Sequence, residues 1–473
     1  MNNESNIQKH LAEQTIMFAS ITKWIFLSSL IGALVGVVVS LFLKLLTYCE
    51  NSRSVLPFDY YYTLPFALVI TVFIVKKFAP SAQGHGTEKV IEAIHKNSGR
   101  INFSVVPVKL FATVLTIFSG GSVGKEGPSA QIGASLASFL AMKLRFSNRD
   151  RKKIVICGIS AGFASVFGTP LAGAIFGIEI LTVGVLMYDI LLPSIVSGFS
   201  AFFVAKLLGI NYTYFNIAFY TNFDFNYILI SKVIIGGIFF GLVADFIITM
   251  LSITHKYISA IKLNYLLKAF VGGIILVLLT IFVGEHYLGI GFQTIKDSLS
   301  TNGVINESVP WYTFILKTIF TSLTLAFGGS GGVITPIFYV GATSGNLFGY
   351  LVDGYIPLFA ALGFVSVLAG ATSAPIAAMI MSVELFGMNV GHYAAISIII
   401  AFLMTGHRSV FPSQVLSMKK SEAINIKLGD EIENAEMTYT TRFFVNIRRI
   451  FSLIMIKIKN IKKIIDGLKV DFR

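Results

Sequence analysis

The chain has 473 residues, of which 55% are hydrophobic and only 13% charged, with a mean hydropathy of +0.77. A soluble domain carries roughly 25% charged residues and does not expose so much apolar surface, so an ordinary water-soluble enzyme is excluded and a membrane protein with many spans is implied. The net charge of +13 would suggest nucleic acid in a soluble protein, but basic residues also gather on the cytoplasmic side of membrane proteins, so no nucleic-acid partner is expected.

Residues 1–22 are polar and amphipathic, with charges of both signs. They lack the charged start, apolar core and cleavage site of a secretory signal. The first apolar stretch, Trp24 to Tyr48, contains one charge, Lys44, and is long enough to span with tilt. Residues 228–252 and 266–284 are long in the same way. Others are short or broken by Gly and Pro: 106–119, 129–142, 154–168, 170–187, 333–349 and 364–382. Short apolar pieces at membrane depth predict broken helices whose ends meet around a site. Most of the 42 glycines are expected simply to let helices pack closely.

The sequence repeats itself. Residues 120–135 read GGSVGKEGPSAQIGAS and residues 328–343 read GGSGGVITPIFYVGAT, aligned without a gap. Ala161-Gly162 recurs as Ala369-Gly370, and Pro170 and Pro375 stand at the same spacing before Glu179 and Glu384. Two matching blocks in one order argue for duplication, with halves at 23–225 and 226–420. Beyond residue 420 the character changes. Residues 443–469 mix Phe443, Ile447, Ile450 and Phe451 with Arg448, Arg449, Lys457 and Lys459, which predicts a basic amphipathic helix on the inner membrane surface. Cys49 and Cys157 form no disulfide framework or zinc motif, and the histidines have no metal-ligand spacing, so no metal or cofactor is expected.

Gly120 to Ala130 is a glycine-rich turn running into Pro128 and an apolar helix, so a helix start is predicted near Gly127 or Pro128. Such a start presents free N–H groups and partial positive charge, and binds anions without a basic side chain. Glu126 stands at that mouth, an acid in an apolar stretch where acids are costly. Its carboxylate could fill the site it guards and be displaced more easily when protonated; alternatively it pairs with Lys125. Gly331 to Pro336 offers a second helix start with no acid. Two such mouths could hold one anion by partial charges that permit both binding and release.

Gly124-Lys125-Glu126-Gly127-Pro128 resembles the G-[KR]-E-G-P signature of the CLC chloride channel and chloride–proton antiporter family. Gly332-Val333-Ile334-Thr335-Pro336 resembles its G-x-F-x-P signature, with Ile334 in the aromatic place, and Gly84-His85-Gly86-Thr87-Glu88 is similar to a degraded G-S-G-I-P. The resemblance covers about residues 20–420. It implies an all-α polytopic membrane protein: an inverted repeat of two halves, with broken helices meeting at a mid-membrane anion site. It further implies a homodimer in the cell membrane, one pathway per subunit, and both termini in the cytoplasm, residues 1–22 and 421–473 among them. Glu126 would be the gate, with backbone amides near Gly127, Val333 and Ile334 lining the anion site. His85 falls where the family has an inner serine, and Phe411 where it has a tyrosine, so the phenol donor is lost.

The resemblance also raises the question of coupling. Antiporters of this family usually carry an inner proton-transferring acid after a Pro-Leu-Ala-Gly helix. Here that helix is Pro170 to Glu179: Glu179 matches the first acid of the usual pair and Ile180 replaces the second. Glu179 is therefore a candidate for the proton pathway, although it could pair with or cap against its repeat equivalent Glu384. The preferred expectation is voltage- and proton-sensitive chloride exchange; a passive chloride channel is the alternative. A fluoride-exporting branch usually departs from the family's second signature, and the intact Pro128 argues against it. The expected partners are chloride and other small anions, protons, lipid and a second copy of the chain. A rival from another class rests on Gly120–Gly124 and Gly328–Gly332, which match the G-x-S-x-G of hydrolases. It would use Ser122 or Ser330 with His407.

Overall fold

The computed structural model describes residues 2–215, 217, 227–300 and 309–439. The tail predicted at 443–469 and the boundary between the halves at 225/226 lie outside the described residues.

The first half runs α1 (Asn2–Asn51), α2 (Leu64–Phe78), α3 (Thr87–Lys96), α4 (Val105–Phe118), α5 (Glu126–Lys143), α6 (Asn148–Phe167), α7 (Pro170–Glu179), β1 (Thr182–Val183) and α8 (Tyr188–Leu207). The second runs α9 (Tyr227–Ala260), α10 (Tyr265–Val283), α11 (Phe292–Ser300), α12 (Thr313–Ala326), α13 (Ile334–Leu351), α14 (Ile356–Thr372), α15 (Pro375–Phe386) and α16 (Met388–Met404). Strands β2 (Val415–Leu416), β3 (Ile424–Ile426) and β4 (Met437–Tyr439) follow. The two halves repeat element for element. Helices α4 and α12 are 208 residues apart at both ends, and so are α5 and α13.

Among the described residues, five helices are long and apolar enough to cross a membrane: α1, α8, α9, α10 and the segment ending in α2. They turn large apolar side chains outward, among them Phe26, Phe66, Leu242 and Phe282, as lipid-facing surfaces must. The shorter helices lie inside. Helix α5 lies on α6 where Gly133 meets Gly158, and α13 lies on α14 where Gly341 meets Gly363; a Cβ at any of the four would strike the facing backbone. This is the small-residue packing of membrane interiors.

Local sequence sets the helix ends. Ser147 caps α6 by accepting from Asp150 N at 3.1 Å, and Gly168, in the left-handed region, ends it. Pro170 then opens α7. Two of the broken apolar stretches divide at definite residues. In residues 170–187, α7 stops at Glu179, where the Pro-Leu-Ala-Gly helix was expected to end, and the following residues turn and pair as β1 with β2 in parallel. Residues 364–382 are two helices, because Ser373 sits left-handed at φ 55° and Pro375 starts α15. Residues 2–22 are continuous with the spanning part of α1, since no Pro or Gly interrupts them.

Candidate functional site

The loops before α5 and α13 cross at the centre of the molecule. They form an antiparallel bridge in which Gly124 N donates to Gly332 O at 2.7 Å and Gly332 N donates to Gly124 O at 2.6 Å. Helix α5 begins at Glu126 and α13 at Ile334, so both starts open at this crossing. Gly127 has no room for a side chain: a Cβ there would strike the His85 carbonyl and stand 3.0 Å from Gly332 Cα. The loop of His85 thus joins the two helix starts, and three backbones touch at one point.

A polar collar pins the crossing, and each of its contacts occurs twice. Ser122 Oγ lies 3.1 Å from Thr321 Oγ1, and Ser330 Oγ lies 3.2 Å from Thr113 Oγ1. Ser122 N donates to Thr324 Oγ1 at 3.2 Å, and Ser330 N donates to Thr116 Oγ1 at 3.1 Å. This reciprocity is what a local two-fold between inverted halves requires.

Glu126 is fully buried. Its Oε2 accepts from Thr335 N at 3.2 Å. The carboxylate therefore caps α13, the helix of the other half, rather than serving only its own helix start. Lys125, the alternative partner, makes no ion pair with it among the described residues. Glu126 Oε1 has no hydrogen-bond partner there, and neither does the nearby Thr335 Oγ1. A buried carboxylate with one oxygen unpaired is only half compensated for its lost water. It is held at the helix start of α13 through Oε2.

His85 and Phe411 meet on one side of this crossing, their ring centroids 5.8 Å apart at 45°. Phe411 is fully buried. Gly84 and Gly86 flank His85 at φ 79° and 88°, which is what allows so tight a turn before α3. The loop is fastened from α4: Lys109, fully buried, donates from Nζ to Ala82 O at 3.1 Å and to Gly84 O at 2.5 Å. In the other half Lys317, also fully buried, donates to Tyr287 O at 3.1 Å and Gly289 O at 2.8 Å. Sequence reasoning missed both lysines. The signal was available: each is the single charge in an apolar helix, and the two stand at equivalent places in the repeat.

Glu179 belongs to a different assembly. Its two oxygens accept from Ile376 N at 3.0 Å and Ala377 N at 2.8 Å, at the start of α15. Glu384 does the same for α7, accepting from Leu171 N at 3.1 Å and Ala172 N at 2.8 Å. Among the described residues no hydrogen bond or ion pair links Glu179 to Glu126. Ile180 is fully buried, and its carbonyl accepts from Gln414 Nε2 at 2.8 Å.

The hydrolase rival fails on geometry. Ser122 and Ser330 are engaged with threonines, while His407 Nε2 accepts from Lys420 N at 2.9 Å. Among the described residues no three His, Cys, Asp or Glu side chains are grouped to hold a metal ion.

Paired buried helix starts, an inverted duplication and a lone carboxylate between them define a membrane protein built to pass anions. The comparisons name its family. The description "Voltage gated chloride channel" matches residues 66–406, and the chain belongs to this CLC family, whose members are transporters or channels and not enzymes. The chain is 34% identical over 421 residues to the chloride/fluoride channel protein of Pseudomonas syringae pv. tomato, covering 86% of this chain and 90% of that one. It is 27% identical to the voltage-gated ClC-type chloride channel ClcB of Shigella flexneri, over 64% of this chain and 72% of the relative. Among solved structures, a CLC-type fluoride/proton antiporter superposes with a TM-score of 0.78 at 28% identity, over 84% of this chain and 98% of that one. A slow cyanobacterial Cl-/H+ antiporter shares the fold, with a TM-score of 0.68 at 18% identity over 81% of this chain and 94% of the other.

Proposed function

We propose that the protein exchanges a small halide for protons across the membrane, with Glu126 as the gate. The observation that carries this reading is the cap on α13: the Glu126 carboxylate occupies a helix start where an anion would bind. A halide and a deprotonated Glu126 then compete for one position. Protonation removes the charge that the helix start attracts, so the neutral side chain yields to the incoming ion. Each anion passage is thereby tied to a proton on Glu126. The backbone amides near Gly127, Val333 and Ile334 hold the ion, and the rings of His85 and Phe411 flank its path. Partial charges alone hold it, so it can leave again.

Fluoride is the cargo we favour. The relative at 34% identity and the structure at 28% both carry fluoride in their names. The hydroxyl donors that the family pattern places at 85 and 411 are replaced here by ring edges, which carry partial positive charge. Chloride is the second reading, favoured by the intact Pro128 and by the ClcB relatives. The face that carries residues 407–439 also carries Lys76, Lys77, Lys96, Arg151, Lys152 and Lys256, which supports a cytoplasmic orientation for it. A homodimer with one pathway per subunit, as the family resemblance implies, completes the reading.

The test is made in proteoliposomes loaded with a pH dye, under a fluoride or a chloride gradient and with the membrane potential clamped. Uphill proton movement driven by fluoride, and less by chloride, is the expected result. Anion flux without proton movement would make the protein a channel, and chloride-driven exchange without fluoride transport would return the cargo to chloride.

A further inference from the structure

We infer that Glu88 is the inner proton-transfer residue, exchanging protons between the cytoplasm and the ion path beside His85. The inference rests on the exchange reading and adds to it the group that the replacement at Ile180 leaves missing.

The argument starts from the segment that follows the last membrane helix. Val410 N donates to Ala371 O at 2.8 Å, and Gln414 Nε2 donates to Ile180 O at 2.8 Å and Thr372 O at 2.9 Å. Residues 410–414 are thus fixed against α14 and against the position where the inner acid is absent. Two side chains from the start of α3 face this same segment. The His85 ring lies against Phe411. Glu88 Oε1 accepts from Ser413 N at 2.9 Å and from Ser413 Oγ. Ser413 is the neighbour of Gln414, so Glu88 reaches the place beside Ile180 from another helix.

Both side chains keep an atom free. Glu88 Oε2 and His85 Nδ1 are buried and have no hydrogen-bond partner among the described residues. The structural caps Glu179 and Glu384 each use both carboxylate oxygens. Glu88 uses one and leaves the other open. The residue as a whole is only half-buried, and Lys89 beside it is exposed, so water reaches this end. The charged groups around it are Lys89 and Glu92 on its own helix, paired at 2.8 Å, and Lys109 on α4 behind the His85 loop. In the transfer, the O–H bond of protonated Glu88 breaks and its proton passes to cytoplasmic water. The carboxylate left behind takes the next proton from the ion path, and the cycle runs in reverse for proton entry. No oxidant, reductant or other co-reactant is needed.

The experiment compares wild-type protein with Glu88→Gln, Glu88→Asp and Ser413→Ala in proteoliposomes, reading fluoride or chloride flux and proton flux together. Glu88→Gln keeps an oxygen for Ser413 but cannot carry the proton. Its anion flux should stay within about twofold of wild type while its proton flux falls at least about tenfold, and Glu88→Asp should restore proton flux. Proton flux in Glu88→Gln equal to that of wild type would overturn the inference. So would parallel loss of both fluxes in Glu88→Gln and Ser413→Ala, which would make Glu88 a clamp on residues 410–414. A wild-type protein that moves the anion but no protons would overturn the exchange reading and this inference together. A coupled wild type with a coupled Glu88→Gln removes this inference alone.

Discussion

Glu126 and Ile334 stand at the same place in the two halves, each the first residue of its helix at the central crossing. Around them the halves agree closely. Lys109 matches Lys317, Glu179 matches Glu384, and each serine of the collar finds a threonine from the opposite half. What the duplication preserves is what holds backbone in place at membrane depth, where every unpaired N–H or C=O is costly. It has let go of symmetry at the carboxylate of the crossing, Glu126, whose counterpart is Ile334. Two acids at the crossing would repel each other.

Substitution at matched positions tests this division. The largest effect is expected at the asymmetric pair. Glu126→Gln should lower proton flux by at least about a hundredfold while anion flux continues, read in the same proteoliposomes; unchanged proton flux would remove Glu126 as the gate. Next come the lysines. Lys109→Met and Lys317→Met each strip two buried carbonyls of a donor, and each should destabilise the protein by about 3 kcal/mol, measured by thermal unfolding in detergent. Their fluxes should differ, because only Lys109 fastens the loop of His85. Equal loss of transport in both would blur the comparison.

The capping glutamates should behave alike. Glu179→Gln and Glu384→Gln remove a charge from a helix start and should each cost about 1 kcal/mol, with proton flux unaltered in both. Loss of proton flux in Glu179→Gln alone would place Glu179 on the proton route. The smallest effects belong to the collar. Ser122→Ala and Ser330→Ala should each cost about 1 kcal/mol and match one another, checked by the same unfolding measurement.

How much of this could be read in the sequence follows from the range of each interaction. The helix starts at Glu126 and Ile334 were legible because turn glycines and a proline lie within a few residues of them, and the expected start near Gly127 fell within two residues of the observed one. The duplication was legible because it is a pattern along the chain. The partner of Glu126 was not. Thr335 N lies 209 residues away, and nothing local to Gly124-Lys125-Glu126 distinguishes a cap on α13 from a cap on α5. The break at Ser373 was hidden inside an apolar run, where hydropathy is continuous and only the backbone turns. The lysines were hidden for a related reason: one cation scarcely changes the character of a fourteen-residue apolar helix, and its carbonyl partners sit in a loop some 25 residues earlier.

The reciprocal capping of α7 and α15 has a consequence for how the chain is made. When α7 leaves the ribosome, the carboxylate that will satisfy its first amides is still 213 residues from being synthesised. At ordinary elongation rates that is a wait of about 10–40 s, spent in a bilayer that offers those amides little water. Glu179 waits just as long for the helix it will cap. The first half is therefore finished by its successor. A chain interrupted after one repeat would be a substrate for proteolysis rather than a smaller transporter.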